Sequence, residues 1–175
     1  MAQVLAASGL KVWMTSRHQD TLDRAKDAIS IAVRGMLENN LADENYLGRV
    51  WDNLQLITND HIPEVADKMD IVFETVVENK DAKREIYSLL DRYCRPDCIF
   101  ASNTSGMDIF SVTAGIVHHP ERQIIAHWFN PPHLMTLVEV VCGEKTSAKT
   151  TSAVRSLLKY VGKKPAVWVP ELAAE

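Results

Sequence analysis

The segment Ala126-His127-Trp128-Phe129-Asn130-Pro131-Pro132 is followed, twelve residues after its histidine, by the carboxylate of Leu137-Val138-Glu139-Val140-Val141. Imidazole titrates near neutral pH, and a carboxylate partner fixes its tautomer and stabilises its cation. His127 with Glu139 therefore suits proton transfer at an alcohol or a carbonyl. Upstream, Ala101-Ser102-Asn103-Thr104-Ser105 supplies hydroxyl and amide groups of the kind such a centre uses. On residue types alone, a single histidine at a strand end is more often packed or solvated than a base.

These residues need elements to place them. Met1–Ser8 is Ala-rich, and Gly9 stands where a helix ends. Lys11–Thr15 reads as a short strand. Asp20 is the expected N-cap of a helix with Leu22, Ala25, Ile29, Ala32, Val33 and Met36 on its apolar stripe. Strands are expected at Leu54–Thr58, Asp70–Val77, Cys98–Ser102, Gln123–His127, Leu137–Cys142 and Ala166–Val169. Between them, Asn79–Tyr93 carries Ala82, Ile86, Leu89, Leu90 and Tyr93 on one helical face, and Ser147–Val161 carries Val154, Leu157, Leu158 and Val161, closed by Gly162. Strand–helix alternation over the whole chain predicts an α/β fold with a doubly wound, mostly parallel sheet. Such sheets bind ligands at the carboxyl ends of their strands, which singles out Ser16-Arg17, Glu78, Ser102–Ser105 and His127–Asn130.

Composition excludes several other classes. The 175 residues are 46% hydrophobic and 24% charged, with a net charge of −4, which is the profile of a folded domain rather than of disorder. Interspersed charge without a basic stripe argues against nucleic-acid or membrane-surface binding. No apolar run approaches the ~18–20 residues of a membrane span. The first residues lack a basic leader, and three cysteines suit a reducing, cytoplasmic setting.

The run ASNTS followed by AHWFNPPHLMTLVEVV, together with DIVFETVVENKDAKREIY and a late GKKP, resembles the NAD-binding domain of the L-3-hydroxyacyl-CoA dehydrogenases over about Met1 to Val169. The resemblance implies a Rossmann-like single domain over residues 1–175, oxidation of a 3-hydroxyacyl-CoA to the 3-keto compound, and NAD as cofactor. It implies that His127 is the base toward the substrate hydroxyl and that Glu139 orients it. It places Ser105 and Asn130 by the substrate oxygen or nicotinamide, and Glu78 and Lys83 near the cofactor ribose and nicotinamide side. Asn103 is grouped with the cofactor residues. For Glu78 and Lys83 the competing reading is a carboxylate at a helix N-terminus and an exposed lysine.

Two departures from the family pattern bear on function. The family opens with a strand and a GxGxMG turn that cradles the pyrophosphate, immediately before the helix that begins here at Met1. It also continues, beyond Val169–Glu175, into a helical domain that completes the active site and builds a homodimer. The chain is therefore expected to be truncated at its first strand, without the helical domain, and prone to instability or non-native association. Second, KVWMTSR puts Ser16 where the family usually has an acid, with Arg17 beside it. Loss of that carboxylate and gain of a guanidinium favour NADP.

Other signals carry less. Cys94 and Cys98 lack a second pair and read as ordinary thiols, and no metal site is expected. His118 and His119 read as solvated turn residues without carboxylate support, and His133 as a residue at the substrate entrance or a turn cap. Trp13, Trp51, Trp128 and Trp168 read as packing, with Trp128 alternatively walling the site. The region around Ile29–Asn39 does not reproduce the family's CoA-binding positions, so no CoA residue is assigned. Two alternatives stand beside the acyl-CoA dehydrogenase: a relative acting on gulonate or carnitine, and a non-catalytic binding module.

Overall fold

A computed structural model describes residues 1–169, which divide into two compact units at Ile62/Pro63. The first unit contains α1 (Ala2–Ala7), β1 (Val12–Ser16), α2 (Gln19–Glu38), α3 (Tyr46–Asn53) and β2 (Leu54–Thr58). β1 and β2 pair in parallel, Val12 opposite Leu54 and Ser16 opposite Thr58. Its core gathers Ala6, Ile29, Val33, Val50 and Leu54, with Trp51 packed against them. Val33 and Val50 are fully buried, each contributing on the order of 1.5–3 kcal/mol. Gly9 takes φ +84° after α1, a conformation that favours glycine.

Three local expectations change here. α2 starts at Gln19 after His18, so Asp20 lies inside the first turn, where its carboxylate pairs with Arg24 at 2.8 Å instead of capping. Helix α3 is absent from the sequence reading, although Leu47, Val50, Trp51 and Leu54 recur at three- and four-residue spacing. β1 ends at Ser16, one residue later than expected.

The short helix α4 (Ile62–Val65) spans the division. The second unit then holds β3 (Ile71–Glu74), α5 (Lys80–Tyr93), β4 (Ile99–Ser102), α6 (Ile109–Val112), β5 (Gln123–Trp128), β6 (Leu137–Val141), α7 (Ala148–Tyr160) and β7 (Lys164–Trp168). These strands form one five-stranded sheet in chain order. β3, β4 and β5 run parallel, β6 runs antiparallel to β5, and β7 runs parallel to β6. The reversal follows from connection length: residues 129–136 are too few for the crossover a parallel pair needs. The residues at which α5 and α7 are expected to begin are their caps, with Asn79 accepting from the Ala82 amide and Ser147 from the Thr150 amide.

The stripe of α5 is turned by one residue. Lys83, Tyr87 and Leu90 are its buried positions, whereas Tyr93 is 37% exposed. β3 is also shorter than the expected 70–77, because the Glu74 carboxylate accepts the Val76 amide at 2.8 Å and draws the chain off the ladder. His118 and His119 do have carboxylate partners, Asp91 and Glu121. Trp168 is exposed rather than packed. The three cysteines are free and buried, and no metal-binding group of His, Cys, Asp or Glu occurs among the described residues. No helix among them is long and apolar enough to cross a membrane. The expected domain junction at Val169–Glu175 lies, from Pro170 on, outside the described residues.

Candidate active site

His127 and Glu139 meet because β5 and β6 are antiparallel. They are directly opposite residues in the register, so their side chains share one face of the sheet. His127 Nδ1 lies 2.9 Å from Glu139 Oε2. The pair is open to solvent, with side chains 21% and 42% exposed. An ionised carboxylate only accepts, so Nδ1 carries the hydrogen of this bond, and in the neutral ring Nε2 then keeps its lone pair. Phe129 packs against the imidazole, ring centroids 4.8 Å apart. Trp128 points to the opposite face, buried and edge-on to Phe73 at 5.9 Å. Asn130 follows at the exposed start of the 129–136 connection, with a cis bond to Pro131.

The end of β4 is tied to the same strand. Asn103 Oδ1 accepts the Trp128 amide at 2.8 Å, which leaves its side-chain NH2 without an acceptor among the described residues. Glu78 accepts from Thr104 Oγ1 at 3.1 Å and from the Ser105 amide at 3.2 Å. Ser105 and Glu78 line a groove of about 500 Å³ that also reaches Met107, Asp108 and Ser111; His127 and Glu139 do not line it.

Beneath these residues lies a charge pair that sequence reasoning missed in part. Lys83 is neither exposed nor aimed outward: it is 1% exposed and donates to both oxygens of Glu74 at 2.9 Å. Its Nζ also stands 3.9 Å from Glu78 Oε2. Glu74, 3% exposed, accepts in addition from Ser102 Oγ at 2.7 Å and from the Val76 amide. Burial pushes the neighbouring Tyr87 hydroxyl far up, and the Glu74 charge adds to it. Glu74 thereby joins β3, β4 and α5 at the end of the sheet where the site lies. Its only signal in the sequence is a carboxylate inside an otherwise apolar strand.

Ser16 and Arg17 belong to the first unit, at the carboxyl end of β1. Ser16 Oγ accepts the His18 amide at 3.4 Å. Arg17 is exposed and makes no ion pair with a described residue.

Mostly parallel strands joined by helices, with polar side chains gathered at the strand ends, define a Rossmann-like α/β domain. The family of the 3-hydroxyacyl-CoA dehydrogenase NAD binding domain matches residues 1–171, and the chain belongs to it. It is 34% identical to the mitochondrial hydroxyacyl-coenzyme A dehydrogenase of Sus scrofa, covering 94% of this chain and 53% of that protein. It is 33% identical to the 5-formyl-3-hydroxy-2-methylpyridine 4-carboxylate 5-dehydrogenase of Mesorhizobium japonicum, covering 95% and 52%. The crystal structure of (S)-3-hydroxybutyryl-CoA dehydrogenase from Ralstonia eutropha superposes with a TM-score of 0.89 at 28% identity, covering 96% of this chain and 58% of that one. The chain thus spans about half the length of the curated relatives it matches.

Proposed function

We propose that this chain is the cofactor-binding, proton-transferring domain of an NAD(P)-dependent 3-hydroxyacyl-CoA dehydrogenase. The observation that carries the reading is the Nδ1–Glu139 hydrogen bond of His127, made in a half-open position with Nε2 left for a substrate. His127 takes the proton of the substrate 3-hydroxyl at Nε2, and Glu139 holds the ring and balances the imidazolium charge. Ser105 and Asn130 supply the donors that orient the substrate oxygen.

Each unit by itself offers groups of the kind a nicotinamide dinucleotide uses: the first the unpaired Arg17 guanidinium, the second the free Asn103 amide donors and the half-exposed Glu78 carboxylate as acceptor for ribose hydroxyls. When bound, that cofactor supplies the acceptor for the hydride leaving C3. In the second unit Glu78 and Asn103 are the residues to hold it, with Lys83 bonded to Glu74 and 3.9 Å from Glu78; in the first unit the candidates are Ser16 and Arg17. Family membership favours NAD; the absence of an acid at Ser16 and the free Arg17 favour acceptance of NADP.

Titration with NADH and NADPH, followed by nicotinamide fluorescence, tests cofactor binding and choice. In the full protein that carries this chain saturable binding is expected, with NADPH at least matching NADH; preference for NADH removes the Arg17 assignment, and no binding of either removes the cofactor role. Turnover of acetoacetyl-CoA tests the substrate class. A relative named for a pyridine carboxylate keeps a non-CoA substrate as the second reading, which turnover of an uncharged-carrier 3-keto acid without turnover of the CoA ester would establish. Binding without any turnover would instead favour a non-catalytic module.

A further inference from the structure

We propose that Lys163 is a positioning residue for the His127 site: its buried ammonium clamps the 129–136 connection, and so holds His127 opposite Glu139 and Asn130 at the strand end. The functional half of this inference rests on His127 as the base; the clamp itself does not.

At the end of α7, Gly162 takes φ +79°, its amide donates to Lys159 O at 3.0 Å, and the Lys163 amide donates to Leu158 O at 2.8 Å. This paired helix-terminating pattern fixes where Lys163 leaves the helix. Its side chain runs inward, the residue being 7% exposed, and Nζ donates to Pro132 O at 2.6 Å and to Met135 O at 2.8 Å. The same ammonium stands 5.4 Å from the centroid of the Trp128 ring, the residue next to His127.

Two prolines leave the connection short of donors. Pro131 and Pro132 have no N–H, so the loop has two fewer amides for its own carbonyls. Pro131 O receives the Leu134 and Met135 amides, and Thr136 O receives the Lys164 amide. Pro132 O and Met135 O are left to Lys163. No carboxylate among the described residues accepts from Nζ, and burial lowers the tendency of this amine to hold its proton. Buried charges are ordinarily paired with opposite charge. An ammonium kept here among neutral acceptors is explained by what only several hydrogen-bond donors at one point can do, which is to tie two loop carbonyls to the face of Trp128.

The test compares Lys163→Met with Lys163→Arg in the protein that carries this chain. Three readouts are taken: amide exchange at Leu134 and Met135, the 15N signals of the His127 ring, and kcat against KM. In Lys163→Met the two amides are expected to exchange at least about tenfold faster while the amides of α5 do not change. The His127 ring then averages its tautomers instead of holding Nδ1–H, and kcat falls about tenfold with the cofactor KM within about twofold. Lys163→Arg, which keeps several donors, is expected to restore most of each. Unchanged exchange in Lys163→Met overturns the clamp, and faster exchange with an unchanged His127 ring overturns the positioning role. Should Lys163→Met fail to fold, Lys163→Gln and Lys163→Arg carry the same readouts, with failure of Arg to outperform Gln counting against the proposal. An intact His127 signature without turnover in the unsubstituted protein would sink the base assignment and leave the clamp to be judged by exchange alone.

Discussion

Two ionisable pairs stand at the strand ends of the second unit, and they are built in opposite ways. Glu74 and Lys83 have side chains only 1% exposed, and Glu74 accepts from Lys83, Ser102 and the Val76 amide. His127 and Glu139 are 21% and 42% exposed and share one hydrogen bond, with Nε2 uncommitted. A saturated buried pair fixes geometry, because every donor and acceptor has a defined place and breaking any contact strands a charge. A pair left open and unsaturated holds one nitrogen for an incoming group. Position at a strand end does not separate the two; saturation does.

The largest effect that could break this comparison is on turnover. His127→Ala is expected to lower kcat on acetoacetyl-CoA by about 10²–10⁴-fold, as loss of a general base does. Its stability should change by less than about 1 kcal/mol, since the side chain is partly exposed. Steady-state rates and a thermal melt check both halves, and a variant keeping a tenth or more of the activity would remove His127 from the chemistry. Lys83→Met should do the reverse at the buried pair, costing about 3–5 kcal/mol by stranding the Glu74 charge. Urea unfolding measures it, and the double variant Glu74→Gln/Lys83→Met should lose less than the two single losses together. Additive losses would mean the two side chains are not coupled.

A smaller effect sharpens the same contrast. Asn79→Ala removes the cap of α5, the helix carrying Lys83, at about 1 kcal/mol. It should lower the melting temperature without altering the His127 ring signals, because α5 is tied to Glu74 and not to Glu139; a changed His127 signature would show the two pairs to be linked. The smallest effect is a pH slope. Burial alone would raise the Asp91 carboxyl, but its bonds to His118 and Arg122 hold it below the usual carboxylate range. A depressed native value stabilises the fold above the unfolded value of about 3.9, and that contribution is lost as pH falls through the native one. Melts from neutral pH into the acid range should therefore decline less steeply in Asp91→Asn, and equal slopes would exclude Asp91 as a source of acid sensitivity.

Much of the scaffold was legible because local physics governs it. The helices expected from Asn79 and Ser147 begin there, and Gly9 and Gly162 take positive φ where helices end. α7 buries Val154 and Leu158 as their spacing requires. Asp20 misled because a short carboxylate near a helix start serves as well for a first-turn ion pair with Arg24 as for a cap. Lys83 misled because helical periodicity assigns lysines to the solvent face, and nothing within one helix announces a buried partner on another element.

The sequence by itself determined the α/β alternation, the glycines that end α1 and α7, and the placing of His127 and Glu139 on successive strands, because these depend on contacts within a few residues or on residue type. Tertiary structure decided the rest: that the β5–β6 register sets His127 opposite Glu139, that Glu74 sits where Lys83 and Ser102 can neutralise and bond it, and that Lys163 reaches two carbonyls of a proline-rich connection. Each of these joins polar groups far apart in the chain. A buried charge or carbonyl is tolerated only where its partners arrive from elsewhere, and only the folded chain brings them there.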